Sequence, residues 1–170
     1  FEVVVWNIKG VLISNITLII VATTLVLLLG LRYIVYNTRI GKAMRATALD
    51  KPAARLMGIN VDGVISFTFA LGAALAGAGG VLYAIAFPQI LTFMGIMPGL
   101  KAFIAAVLGG IGNITGAFVG SLLMGTTDVL VVSFLPMGSR LRDLFAFLIL
   151  IIVFLVKPTG IFGEPEVEKV

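Results

Sequence analysis

Neither cysteine nor histidine occurs in the 170 residues. The first absence excludes disulfide and thiolate chemistry, and the second removes the commonest metal ligand and general base. Charge is scarce as well: Asp, Glu, Lys and Arg make up 12% of the chain, about half the share found in soluble domains. No Ser–Lys pair stands at a plausible spacing, and no carboxylate pair lies within the apolar runs that could span a membrane. An intramembrane enzyme therefore finds no support in the sequence, and no catalytic, cofactor or metal residue is assigned.

What is present is apolar. Hydrophobic residues make up 60% of the chain, and the mean hydropathy is +1.18, a composition of the membrane class. The uncharged runs extend from Gly10 to Leu31, Gly63 to Leu100, Ala102 to Thr127 and Leu144 to Val156. A helix crossing a bilayer needs roughly 20 such residues. The first run holds one span, and the second holds one span plus a loop.

The formal charge of +4 is a topology signal. Of the 12 basic residues, Arg32, Arg39, Lys42, Arg45, Lys51 and Arg55 lie in one segment between two spans, the pattern of a cytoplasmic loop. Binding to nucleic acid is not expected.

Along the chain, residues 1–14 read as a short extended or hairpin segment at the outer face, with Trp6 near the lipid headgroups. The opening stretch "FEVVVWNIKGVLIS" begins without methionine and lacks the core and cleavage site of a signal peptide, so a fragment of a longer chain is expected. Ile16–Tyr36 forms the first span and Val64–Phe87 the second. In the second, Gly72, Ala76 and Gly80 form one small-residue row and Ala73 and Gly77 another, which predicts close helix packing. Pro88 to Pro98 makes an outer connection.

The stretch "GLKAFIAAVLGGIGNITGAFVGSLLMGTTD" is too long and glycine-rich for one span, and a break is expected over Gly109, Gly110, Gly112 and Asn113. "GGIGNITG" is not a dinucleotide loop, because Thr115 stands where the last glycine of GxGxxG belongs. Two readings are open: freed backbone groups facing a translocation pathway, or tight packing through the Gly112–Gly116–Gly120 row. Asp128 has no obvious partner in sequence. It is either a functional ionisable group hydrogen-bonded by Thr126 and Thr127 or, on the plainer reading, a residue at a membrane edge. The last span covers about Leu141 to Val156, "KPTGIFG" stops it, and a polar tail follows over 163–170.

The loop over 37–63 carries the most specific pattern. In "ATALDKPAARLMGINVD", Asp50 suits a helix N-cap, Pro52 the first turn and Gly58 a left-handed stop. A helix under two turns long is unstable alone and needs a support. Its apolar edge, Ala53, Leu56 and Met57, follows the i, i+3, i+4 spacing of a helix seated in a groove. The groove belongs either to another protein or to the chain's own spans.

"PAARLMG" resembles the Glu-Ala-Ala-xxx-Gly coupling loop of ABC-importer permeases, with Ala53, Ala54 and Gly58 in place and Pro52 where the glutamate stands. "TRIGKAMRATALDKPAARLMGINVDGVISFTFALGAALAGAGGVLY", "GLKAFIAAVLGGIGNITGAFVG" and "KPTGIFGEPEVEKV" are similar to the branched-chain amino acid permease family, in particular the C-terminal half of its members. The resemblance covers nearly the whole chain. It implies an all-α, polytopic transmembrane helix bundle: a single transmembrane domain over 1–170, with a broken or re-entrant glycine-rich segment, a short cytoplasmic coupling helix and a cytoplasmic tail.

The resemblance further implies a multi-pass subunit of the bacterial inner membrane that performs no chemistry on its cargo. Asp50, Ala53, Ala54, Arg55, Leu56, Met57 and Gly58 would dock an ATP-binding cassette ATPase subunit. Further partners would be a second homologous permease subunit, a periplasmic amino-acid-binding protein and membrane lipid. The chain lacks a phosphate loop of its own, since Gly41–Lys42 is followed by alanine. A urea or short-amide importer is the alternative within transporters, and a passive membrane anchor the alternative outside them.

Overall fold

The computed structural model describes residues 5–8, 11–89, 91–134, 138–157 and 159–163, with the side chains of 5–8, 11–13 and 138–140 left aside. The polar tail from 164 onward and the side chain of Trp6 lie outside the described residues. Contacts divide the chain into two compact units, Phe1–Leu91 and Thr92–Val170.

The first unit opens on an antiparallel hairpin, β1 (Val5–Ile8) and β2 (Val11–Ser14), with Val5 opposite Ser14 and Ile8 opposite Val11. Four helices follow: α1 (Asn15–Asn37), α2 (Arg39–Leu49), α3 (Lys51–Leu56) and α4 (Val61–Ala86). Ser14 ends the hairpin and starts α1, its hydroxyl accepting from Ile16 N at 3.3 Å. The 23 residues of α1 make a helix about 34 Å long, enough for a hydrocarbon core of about 30 Å.

None of α1 is buried, and α4 buries only Val61. Helices that are apolar on every side suit lipid or neighbouring helices, not water. The small-residue rows of α4 lie open in this unit: a methyl added at Gly72, Gly77 or Gly80 would meet no atom within 4 Å.

The second unit contains α5 (Ile96–Gly109), α6 (Ile114–Phe134) and α7 (Gly138–Val156). Helices α5 and α6 run antiparallel and very close, because glycines line their seam. A methyl on Gly109 would overlap the Gly116 carbonyl, and one on Gly120 would overlap the Ala105 carbonyl. Ile104, Ala105, Leu108, Met124 and Ala146 form the core, with Ile149, Leu150 and Val153 of α7 packed against it. In lipid such a core is held by dispersion and close fit, because hydrocarbon tails solvate leucine as well as leucine does.

Three helices among the described residues are long and apolar enough to cross a membrane: α1, α4 and α6. The expected last span differs. The α7 helix starts earlier than read, at Gly138, and brings Arg140, Arg142 and Asp143 into its first turns, which leaves Leu144–Val156 as its uncharged stretch. At 14 residues, α5 is about 21 Å long and falls short of the hydrocarbon core.

Candidate docking loop and helix break

Single residues splice the segment between α1 and α4. Asp50 closes α2 by donating its N–H to Ala46 O, and its Oδ1 accepts from Ala53 N at 3.0 Å to open α3. A carboxylate there satisfies an orphan N–H of the first turn and meets the positive end of the helix. Pro52 sits in that first turn, where its missing N–H costs nothing. At the far end Gly58 takes φ +82°, and Ile59 N turns back to Ala54 O at 3.1 Å. Asn60 then caps α4, accepting from Gly63 N at 3.1 Å.

The six residues of α3 divide into one buried anchor and an open edge. Ala54 is 4% exposed, and Val61 and Thr47 on either side in sequence are also buried. Ala53 is exposed, while Leu56 and Met57 are 89% and 83% exposed. The apolar edge read from the sequence therefore does not fold back onto the other helices of its own unit. Lys51, Pro52, Arg55 and Leu56 line an open concavity on the same loop. Arg55 reaches Asp62 at 3.3 Å with both side chains largely in solvent, a pair worth less than about 1 kcal/mol.

The glycine break lies where the sequence places it. The α5 helix ends at Gly109, Gly110 (φ +106°) and Gly112 (φ +90°) turn the chain, and Asn113 caps α6 by accepting from Gly116 N at 2.9 Å. The carbonyls freed at the end of α5 have partners that the sequence reading missed. Leu108 O accepts from Ile161 N at 2.9 Å and Gly109 O from Phe162 N at 3.1 Å, while Asn113 Nδ2 donates to Phe162 O at 3.2 Å. The segment after α7 thus clasps the break. Gly160 (φ +81°) makes this possible, since a side chain there would overlap Val107 O and Gly110. Gly160 beside Pro158 was the available signal, and it reads locally as a helix stop.

Asp128, without an obvious partner in sequence, has one in the fold. Lys101 Nζ lies 2.8 Å from Asp128 Oδ2 and 3.1 Å from Asp143 Oδ1, so one ammonium joins α5, α6 and α7. Thr126 and Thr127 do not serve it; both hydroxyls donate to Leu123 O, at 2.9 and 2.8 Å. No group of three His, Cys, Asp or Glu able to hold a metal occurs among the described residues.

Helices of membrane-spanning length and apolar surface, joined by a capped helix held out on a basic loop, define a polytopic membrane component. Residues 2–154 match the family described as branched-chain amino acid transport system / permease component, and the chain belongs to that family. It is 42% identical over 164 residues to the high-affinity branched-chain amino acid transport system permease protein BraD of Pseudomonas aeruginosa, covering 96% of this chain and 53% of that protein. It is 44% identical over 158 residues to the permease proteins LivH of Salmonella typhimurium and Escherichia coli K12, covering 93% of this chain and 51% of each. The chain spans about half the length of these curated relatives. No solved structure matches it.

Proposed function

We propose that this chain is the C-terminal half of a permease subunit that carries branched-chain amino acids across the bacterial inner membrane, driven by separate ATPase subunits seated on α3. The observation that carries the docking reading is the exposure of Leu56 and Met57, at 89% and 83%, on a helix too short to stand alone. An apolar edge fixed at both ends by caps and left uncovered by its own unit suits the cleft of another protein. Asp50, Ala53, Ala54, Arg55, Leu56, Met57 and Gly58 form this docking element. ATP-driven closure of the ATPase pair would displace it and tilt the spans between outward and inward access.

The substrate class is supported by BraD and LivH, both named as permeases of branched-chain amino acid transport. A second homologous permease subunit and a periplasmic amino-acid-binding protein complete the assembly. The glycine break at Gly109, Gly110, Gly112 and Asn113 serves this reading as a rigid corner rather than as a substrate contact, because Ile161 and Phe162 occupy its freed carbonyls. The segment after α7 lies at the end of the second unit that holds the break, and its cytoplasmic side is what the family resemblance implies.

ATP-dependent uptake of leucine by the full-length, reconstituted complex tests the proposal. Competition by isoleucine and valine but not by urea supports it. Competition by urea alone, or uptake independent of ATP, overturns it.

A further inference from the structure

The corner between α1 and α2 is built to hold its angle. Thr38 ends one helix and begins the next: its hydroxyl donates to Ile34 O at 2.6 Å and accepts from Gly41 N at 3.1 Å. Gly41 is buried, and a methyl there would overlap the carbonyl oxygens of Ile34 and Val35, so α2 passes closer beneath the end of α1 than any larger residue permits. A third tie comes from Arg45, whose Nη1 donates to Val35 O while its guanidinium lies 5.2 Å from the centre of the Tyr36 ring.

Val35 O is among the last carbonyls of α1, which lack an intrahelical donor and form the negative end of the helix dipole. Arg45 answers both needs with a charge-assisted bond, and the Tyr36 ring face supports the same cation. At its other end, α2 passes into α3 through Asp50 alone, which caps both helices. Between the inner end of α1 and the docking helix there is consequently no flexible linker, only two one-residue splices.

We infer that Arg45 is a positioning residue for transport: it locks α2 as a rigid lever that carries displacement of α3 to the inner end of α1. This rests on the proposed docking of an ATPase subunit on α3. The route through Asn60 moves α4, and the Arg45 corner moves α1 with it. Freed of Arg45, the Thr38 splice becomes a hinge, and movement of α3 is absorbed by the corner.

The experiment uses the full-length chain in its complex, with leucine as cargo and the leucine moved per ATP hydrolysed as the readout. Arg45→Ala is expected to retain the ATPase subunits and their ATP turnover while this ratio falls about fivefold, within the usual range of coupling between sites. Arg45→Lys, which keeps a cation and a donor, recovers part of the ratio. A ratio in Arg45→Ala equal to that of the parent overturns the inference. A docking failure reads differently, since Leu56→Asp would then keep its ATPase subunits. A second measurement needs no transport: labels at Leu29 and Leu49, both exposed, are expected to give one narrow distance distribution in the parent and a broad one in Arg45→Ala. A broad distribution in the parent contradicts the lever.

Discussion

Lys101 and Asp128, 27 residues apart, meet at 2.8 Å between α5 and α6, with side chains 21% and 24% exposed. The same ammonium reaches Asp143 of α7 at 3.1 Å. Two carboxylates sharing one cation make the lysine the member whose loss costs most. Lys101→Met is expected to destabilise the full-length protein by about 2–3 kcal/mol, below the roughly 3–5 kcal/mol of a fully buried pair because water reaches these groups. Asp143→Asn, at 47% exposure, is expected to cost less than about 1 kcal/mol. Lys101→Met combined with Asp128→Leu should lose less than Lys101→Met alone, since it removes the stranded charge with its partner. Thermal unfolding in detergent checks this order, and equal losses in all three variants contradict it.

The glycine seam gives a contrast within one helix. Gly120→Ala pushes a methyl into the Ala105 carbonyl, whereas Gly125→Ala meets nothing within 4 Å. The first change should destabilise by at least about 1–3 kcal/mol, the scale of overpacking. The second should be neutral or stabilise by about 0.5–1 kcal/mol through helix propensity. Unfolding midpoints of the two variants are the measurement.

The clasp on the helix break is read most directly by hydrogen exchange. The amides of Ile161 and Phe162 are bonded to Leu108 O and Gly109 O and should be protected in the parent. Gly160→Ala forces a side chain onto φ +81° and into Val107 O, so protection at both amides should be lost together. Asn113→Ala removes the cap on Gly116 N as well as the bond to Phe162 O and should cost about 1–2 kcal/mol.

On the proposed docking, the cap on α3 predicts an effect on affinity without any change of surface. Asp50→Ala frees Ala53 N and costs about 1 kcal/mol of helix order. That order must then be supplied on binding, so affinity for the ATPase subunit should fall about fivefold. Asp50→Ser, which keeps an acceptor, should restore most of it. Titration of detergent-purified permease with ATPase subunits would show the difference.

The spans were legible because charge placement sets their ends: Ile16–Tyr36 and Val64–Phe87 became Asn15–Asn37 and Val61–Ala86. The break was legible because glycine and asparagine tolerate the left-handed turn that Gly110 and Gly112 adopt. The helix α2 was not, because its mixture of Arg, Lys, Thr and alanine reads as loop until Thr38 and Asp50 are seen to cap both of its ends. The pairing of Asp128 with Lys101 depends on the register of two helices, which Gly120 against Ala105 fixes only in the folded hairpin. The bonds of Ile161 and Phe162 to α5 are made by backbone, which no pattern of side chains advertises.

The proposed seat of an ATPase subunit on α3 is open to co-purification. Leu56 is 89% exposed and Arg55 lies beside it in solvent, so Leu56→Asp and Arg55→Glu should leave the permease folded, with an unfolding midpoint close to that of the parent. Both variants, expressed full-length with their partners, are expected to retain the second permease subunit and lose the ATPase subunits. Full retention of the ATPase subunits by both variants would contradict it.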